Sequence, residues 1–487
     1  MLSLLALPRA GLSQAARASG PATTAAATIT ASDLRHEIGV LAADSMRGRD
    51  TPSPELSEAA RYVAGRFRDA GLLPGLGETF LQYYPVTVIE AGPASAQRLV
   101  ITGPDGDHGL RSGHGFVAAP TGSSLAGRGP LRRAASDSAT SVPDSSLMVV
   151  EARPETMPRV FASVRDALRH GAASGALIVV DAPETYFDGL RRFFGTRRVS
   201  IGAPDLPGEP VALVSASALP AALAEPLAAG EPLPYGWSAS LETDGRVRAD
   251  SAMNVIGWLP GSDPDLRSEY VLFTAHLDHV GVGRPVDGDS IYNGADDDAS
   301  GTATLVELAQ AYASASDRPR RSLVFMAVSG EEKGLLGSTW YTDHPVFPLG
   351  RTVADVNMDM IGRNWQDTVA AIGKKESSLG SAVDRVARSH PELGLSVVDD
   401  RWPDQHFYSR SDHYNFARKG VPILFFFSGI HEDYHRPSDE PDRIEYGKTA
   451  RIGRLIYYLG REVADADGRP RWDPDAYRRV VGGGGSP

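Results

Sequence analysis

Between residues 251 and 466 the chain alternates continuous apolar runs with stretches of helical period. The runs "YVLFTAH" (270–276), "SLVFMAVS" (322–329), "TVADVNMDM" (352–360) and "VPILFFF" (421–427) are apolar on both faces. Strands of that kind belong inside a covered parallel sheet rather than at a solvated surface. Between and after them, "GTATLVELAQAYASA" (301–315), "LLGSTWYTDH" (335–344), "LGSAVDRVARSH" (379–390) and "GKTARIGRLIYYLGREVADA" (447–466) read as helices. This alternation predicts an α/β fold, with a mostly parallel central sheet flanked by helices. Further upstream, "SPELSEAARYVAGRFRDAGL" sets Ala59, Tyr62, Val63, Phe67 and Leu72 on one helical face and stops at Gly71.

A second apolar block lies in front of the regular region. It contains "SLMVVEA", "FASVRDALRHGAASG", "ALIVVDA" and "EPVALVSASALPAALA" and closes near Arg246, where "SAMNVIGWLPG" opens a new strand. From about residue 103 to 140 the text loosens into Gly, Ser and Asp, as a domain boundary does. The expected division is a discontinuous domain over 31–110 and 247–475, an insertion over 141–246, and a flexible tail over 476–487 ending in "GGGGSP". Residues 1–30 read as a signal peptide or a disordered leader, although Pro8-Arg9 cuts the apolar run short and the basic start is missing. The leader is the basis for expecting a secreted or periplasmic protein.

Composition narrows the partners. A net charge of -12 provides no electrostatic footprint for nucleic acid, and no stretch is long enough for an integral membrane segment. With no Cys among 487 residues, any metal must be held by His and carboxylate.

Acids and histidines gather where the predicted strands end, which is where open sheets of this type bind ligands. "YVLFTAH" runs into His276-Leu-Asp278, "SLVFMAVSG" into Glu331-Glu332, "TVADVNMDM" holds Asp359, and "VPILFFFSGI" leads to His435. A fifth segment, "NGADDDASG", carries Asp296, Asp297 and Asp298 before a helix. Two His and three carboxylates suffice for a pair of divalent ions when one carboxylate bridges, and one further acid must stay free to take a proton from water. Adjacent Glu331 and Glu332 serve if one is ligand and the other base. The string "HEDYH" (431–435) fits a helical H-E-x-x-H zinc motif. Its surroundings oppose a helix, because Pro437 and Pro441 follow at once.

The motifs "TAHLDHVG", "NGADDDASG", "SGEEKGLLGS", "VNMDMIG", "SDHYNF" and "YHRPSDEPDRI" together resemble the co-catalytic zinc aminopeptidases. Relatives of that family are bacterial leucyl aminopeptidase, glutamate carboxypeptidase, glutaminyl cyclase and the non-enzymatic transferrin receptor. The resemblance implies a zinc exopeptidase (phosphorylase/hydrolase-like) fold and two Zn2+ per subunit. It makes His276 and Asp359 ligands of one zinc, Glu332 and His435 ligands of the other, and Asp297 the bridge. Glu331 becomes the general base and Asp278 the residue that orients the His276 imidazole. A cis peptide is expected at Asp297-Asp298, and Tyr434 matches a tyrosine that steadies the oxyanion in some relatives. Asp412 and His413 are expected to support the site, while His431 is left without a role. The block "GAASGALIVVDAPE" with "EPVALVSASAL" resembles the β-rich protease-associated domain that several such peptidases carry as an insertion near the active site.

The implied activity is release of N-terminal residues from peptides. A full ligand set argues against a single-zinc cyclase or a receptor-like relative. A carboxypeptidase of the same family stays open, since Arg363, Arg401 and Arg410 lie near the motifs. So does a di-metal amidohydrolase acting on a non-peptide amide. Oligomeric state is not readable.

Overall fold

The computed structural model describes residues 22–135, 142–143, 145–195, 197–204 and 206–482. Residues 1–21 of the proposed leader lie outside them, whereas Ala25, Ala26 and Ile29, also assigned to it, are buried in the first unit's core. The chain forms two compact units, 1–84 with 252–487, and 85–251.

The first unit is built on strands β1 (Gly245–Leu259), β2 (Tyr270–His276), β3 (Ser322–Val328), β4 (Thr352–Met358), β5 (Thr368–Ile372), β6 (Ser396–Val398) and β7 (Ile423–Phe427), in the spatial order β6-β5-β7-β4-β2-β3-β1. The neighbours β7, β4, β2 and β3 run parallel, whereas β1 against β3 and β5 against β7 are antiparallel. Every residue of β3, β4 and β7 is buried. That matches strands covered on both faces and explains why they read as unbroken apolar runs.

Side chains alternate across the sheet. Val271, Phe273, Leu323 and Phe325 enter one core with helices α1 (Ala31–Leu41), α2 (Pro54–Asp69), α3 (Gly301–Ser314), α5 (Leu379–Ser389) and α7 (Tyr446–Asp465). Leu272, Val324 and Met326 enter another with α4 (Leu336–Asp343) and α6 (His413–Arg418). The sequence of α2 explains its limits. Ser53 caps it by accepting the Leu56 N–H at 2.9 Å, and Pro54 sits at its first position.

The second unit is also α/β. Its eight-stranded sheet runs 106–111, 98–103, 238–243, 125–133, 147–152, 176–180, 211–215, 116–118, with four parallel strands from 125–133 to 211–215. The sequence reading left 85–110 with the first domain and opened the insertion at 141. Residues 98–133 instead contribute four strands to the second unit's sheet. Of these, strand 106–111 has no fully buried position, so its polar, Gly-containing sequence reads as loop. At the other end, helix Pro474–Val480 occupies part of the stretch expected to be a flexible tail.

Among the described residues no helix is long and apolar enough to cross a membrane.

Candidate metal centre

The ends of β2, β3 and β4 and the loops before α3 and after β7 bring the predicted acids and imidazoles together. Asp297 lies between two histidines. Its Oδ1 is 3.1 Å from His276 Nε2, and its Oδ2 is 3.1 Å from His435 Nε2. His276 Nε2 is also 3.5 Å from Asp359 Oδ1, and His435 Nε2 is 3.1 Å from Glu332 Oε2. Each imidazole thus faces one private carboxylate and one oxygen of a shared carboxylate.

Asp298 is near the first group as well. Its oxygens, however, accept the N–H groups of His276, Gly301 and Met360 at 3.1, 2.9 and 3.2 Å. The Asp297 carboxylate has no such backbone duty and faces both imidazoles. The Asp297-Asp298 peptide is cis, as expected. Gly301 is required where it stands, because a Cβ there would lie 2.5 Å from both Asp298 Oδ1 and the Met358 carbonyl.

The site is short of positive charge. Burial pulls the His276 imidazole towards neutrality, yet Asp359, Asp297 and Asp298 outweigh it and hold its proton well above the usual range. His435 is pushed up to about 10 against the same burial, by Asp297 and Glu332. An anionic pocket that forces protons onto imidazoles is one that divalent cations would fill in their place. Buried Glu332 Oε1 and both ring nitrogens of His279 have no hydrogen-bond partner among the described residues. The donor set of imidazole and carboxylate fits zinc.

Glu331 stands apart from these contacts on a cavity that Asp297 and Asp359 also line. Burial, followed by the charges of Glu332, Asp359 and Asp412, raises its carboxyl well above the ordinary range against the pull of His276. That is the environment of a proton carrier. The cavity's other wall is apolar, from Met360, Phe407, Phe425, Phe427 and Ile430. Tyr434 also lines it, with its ring stacked on His435 at 3.9 Å.

Several expected roles change. The His276 Nδ1 meets the backbone carbonyl of Asp278 at 3.0 Å, while the nearer carboxylate oxygen of that residue is 3.9 Å away. The Asp278 carboxylate instead accepts the Thr51 hydroxyl at 2.9 Å and the Glu331 N–H at 3.2 Å. It therefore ties the Glu331 loop, and its backbone rather than its side chain orients the imidazole. Asp412 accepts the Ser338 hydroxyl at 2.5 Å, and His413 meets the Tyr408 carbonyl at 2.9 Å. The direct prop of Asp359 is their neighbour Ser411, whose hydroxyl donates to it at 2.8 Å.

"HEDYH" forms turns rather than a helix. His431 is nevertheless engaged, 3.2 Å from Asp296 and buried beside it. Of the three arginines, Arg363 pairs with Asp433 at 2.7 Å and Arg401 lies over Trp365 at 5.1 Å. Arg410 alone of them lines the cavity.

Four supporting residues were not singled out from the sequence. Buried Arg49 donates to the carbonyls of Leu41, Leu277, Asn293 and Gly294 at 2.5 to 3.1 Å. One guanidinium thereby ties α1 to the His276 loop and the Asp297 loop. Burial lowers it to about 10, so it stays charged at neutral pH. Thr51 joins the same strap by accepting the Gly330 N–H at 3.1 Å. Asp439 accepts the Asp296 and Asp297 N–H groups at 3.1 Å. The fourth is His279, a second imidazole three residues after His276. The strings "GRDT", "SDEP" and "LDH" carry them but have no periodic signature.

Residues 254–460 match the model of Peptidase family M28. Over 215 residues the chain is 28% identical to "Aminopeptidase YwaD" of Bacillus subtilis, covering 42% of this chain and 43% of that protein. Over 306 residues it is 28% identical to "Glutamate carboxypeptidase 2 homolog" of Caenorhabditis elegans, covering 54% and 37%. The matches thus span less than half the length of either curated relative. The fold is similar to that of the structure titled "Aminopeptidase from Aneurinibacillus sp. strain AM-1", with a TM-score of 0.59, 18% identity, and coverage of 93% of this chain and 98% of that one.

Proposed function

We propose that this chain, whose residues 254–460 match peptidase family M28, is a zinc-dependent aminopeptidase that releases N-terminal residues from peptides. The observation that carries the reading is Asp297, with one imidazole at each oxygen and one further carboxylate beyond each imidazole. In this reading His276 and Asp359 would hold one Zn2+, Glu332 and His435 would hold the other, and Asp297 would serve both. Bound there, the ions would acidify a water and polarise the scissile carbonyl.

The remaining work falls to the chain's own groups. Glu331 takes the proton of the attacking water and delivers it to the leaving amine, a task that suits its raised affinity for protons. Asp278 and Thr51 keep the Glu331 loop in register through its N–H groups. Tyr434, stiffened by stacking on His435, is available to steady the oxyanion.

Aminopeptidase is favoured over carboxypeptidase by the charges on the cavity. Arg363 is paired and Arg401 is stacked elsewhere, so of the three arginines Arg410 alone lines it to meet a substrate carboxylate. The apolar wall suits an apolar side chain on the residue released. We also read residues 85–251 as the inserted protease-associated domain, on the motifs "GAASGALIVVDAPE" and "EPVALVSASAL".

The test is mass spectrometry of a free-ended peptide and its N-acetylated twin, each incubated with zinc-loaded protein. Stepwise loss from the N-terminus that acetylation blocks is expected. Loss from the C-terminus of both peptides would mean that Arg410 receives a carboxylate and the enzyme is a carboxypeptidase. No cleavage of either would turn the reading to a non-peptide amide.

A further inference from the structure

We infer that His279 is a third imidazole of the metal centre, binding through Nδ1 at the position shared by Glu332, His435 and Asp297. The inference rests on the two-metal reading and adds a ligand to it.

His279 is fully buried, and neither of its ring nitrogens has a hydrogen-bond partner among the described residues. A histidine buried for packing alone secures at least one partner, because an unpaired polar atom in the interior is costly. The His279 Nδ1 does lie 2.8 Å from Glu332 Oε1, yet the two do not form a hydrogen bond. They approach without aiming at each other. Two ligands of one tetrahedral ion do that, since both aim at the ion and sit roughly 3 Å apart across it.

The same Nδ1 is 3.7 Å from Asp297 Oδ2. Ligand atoms of His279, Asp297, Glu332 and His435 all fall within 4.8 Å of one another. The His279 ring meets the His435 ring edge-on at 5.5 Å.

The ring is held there by the backbone. A Cβ on Gly294, whose φ is +61°, would lie 2.5 Å from His279 Cγ. Glycine thus leaves the space that the imidazole fills, in the loop that also carries Asp297. The consequence is an asymmetric pair. One position has His276 and Asp359 beside the bridge, while the other has two imidazoles and Glu332 and is the tighter of the two for zinc or cobalt.

The test is proton NMR of the full chain loaded with Co2+, recorded in H2O and in D2O. Each coordinated imidazole adds one solvent-exchangeable ring N–H resonance with a large paramagnetic shift. Three are expected in the native protein and two in His279→Ala and His279→Asn. In His279→Ala one of the two cobalt dissociation constants should also rise by at least about tenfold, with the other unchanged. Two resonances in native protein that has taken up both cobalt ions would overturn the role of His279 and leave the two-metal site standing. Absence of cobalt uptake would overturn both.

Discussion

The two units of this chain use one architecture to different ends. Each has a sheet with parallel strands at its centre, and strands 322–328, 352–358 and 423–427 of the first, like 176–180 and 211–215 of the second, are buried along their length. In the first unit the parallel strands run out into His276, Glu331-Glu332, Asp359 and the His435 loop. In the second, strands 147–152, 176–180 and 211–215 end in Ala152, Val180 and Ser215. Among the described residues, both groups of potential metal ligands belong to the first unit. A parallel sheet supplies a rim, but only the residues placed on that rim supply chemistry.

The contrast can be attacked by mutation, ordered by expected effect on the rim. Glu331→Gln should lower kcat by roughly a hundred- to ten-thousand-fold with metal content unchanged. Loss of metal alongside activity would mean that Glu331 is a ligand. Arg49→Met leaves four carbonyls without their donor and should destabilise the fold by on the order of 3 kcal/mol, weakening metal binding as the two loops part. Denaturant unfolding and metal titration read the two effects, and an unchanged protein would remove Arg49 from the account.

His431→Ala should weaken metal binding by roughly tenfold through Asp296, the neighbour of the bridge. No change in metal titration would return His431 to the idle status that the sequence alone suggested. Asp412→Asn acts through pH. Burial, helped by Asp278 and Asp359 and opposed by His276 and the Ser338 hydroxyl, raises Asp412 to about 7. Between the ordinary carboxylate range and pH 7, the metal-free folded chain holds a proton that the unfolded chain has lost. Stability therefore falls as pH rises through that window. The Asn variant should show a shallower fall in Tm after chelation, and an equal slope would exclude Asp412 as its source. Leu213→Ala, in the second unit's core, should cost about 2–5 kcal/mol while leaving metal titration untouched. A change in metal affinity would break the contrast between the units.

The strands and the acids at their ends were legible because burial on both faces writes itself as unbroken apolar runs, and chemistry as acids that interrupt them. Supports were not legible. Arg49 reaches Leu277 and Asn293 across 228 and 244 residues of chain, and no local pattern encodes such a closure. The Asp278 carboxylate was assigned to the imidazole two residues away, whereas folding turns it towards Thr51 and Glu331. His279 follows His276 so closely that it reads as a bystander until both rings are seen to face the same acids. Strand 106–111, half of the hairpin with 98–103, was missed for the opposite reason, being too polar to register as a strand.

The most direct test of the central claim is the zinc content of the reconstituted, dialysed chain, measured by elemental mass spectrometry beside Asp297→Ala. Two zinc ions per native chain, with both weakened when the shared carboxylate is removed, is the predicted result. One ion per native chain, or two that survive loss of Asp297, would contradict a centre bridged by that residue.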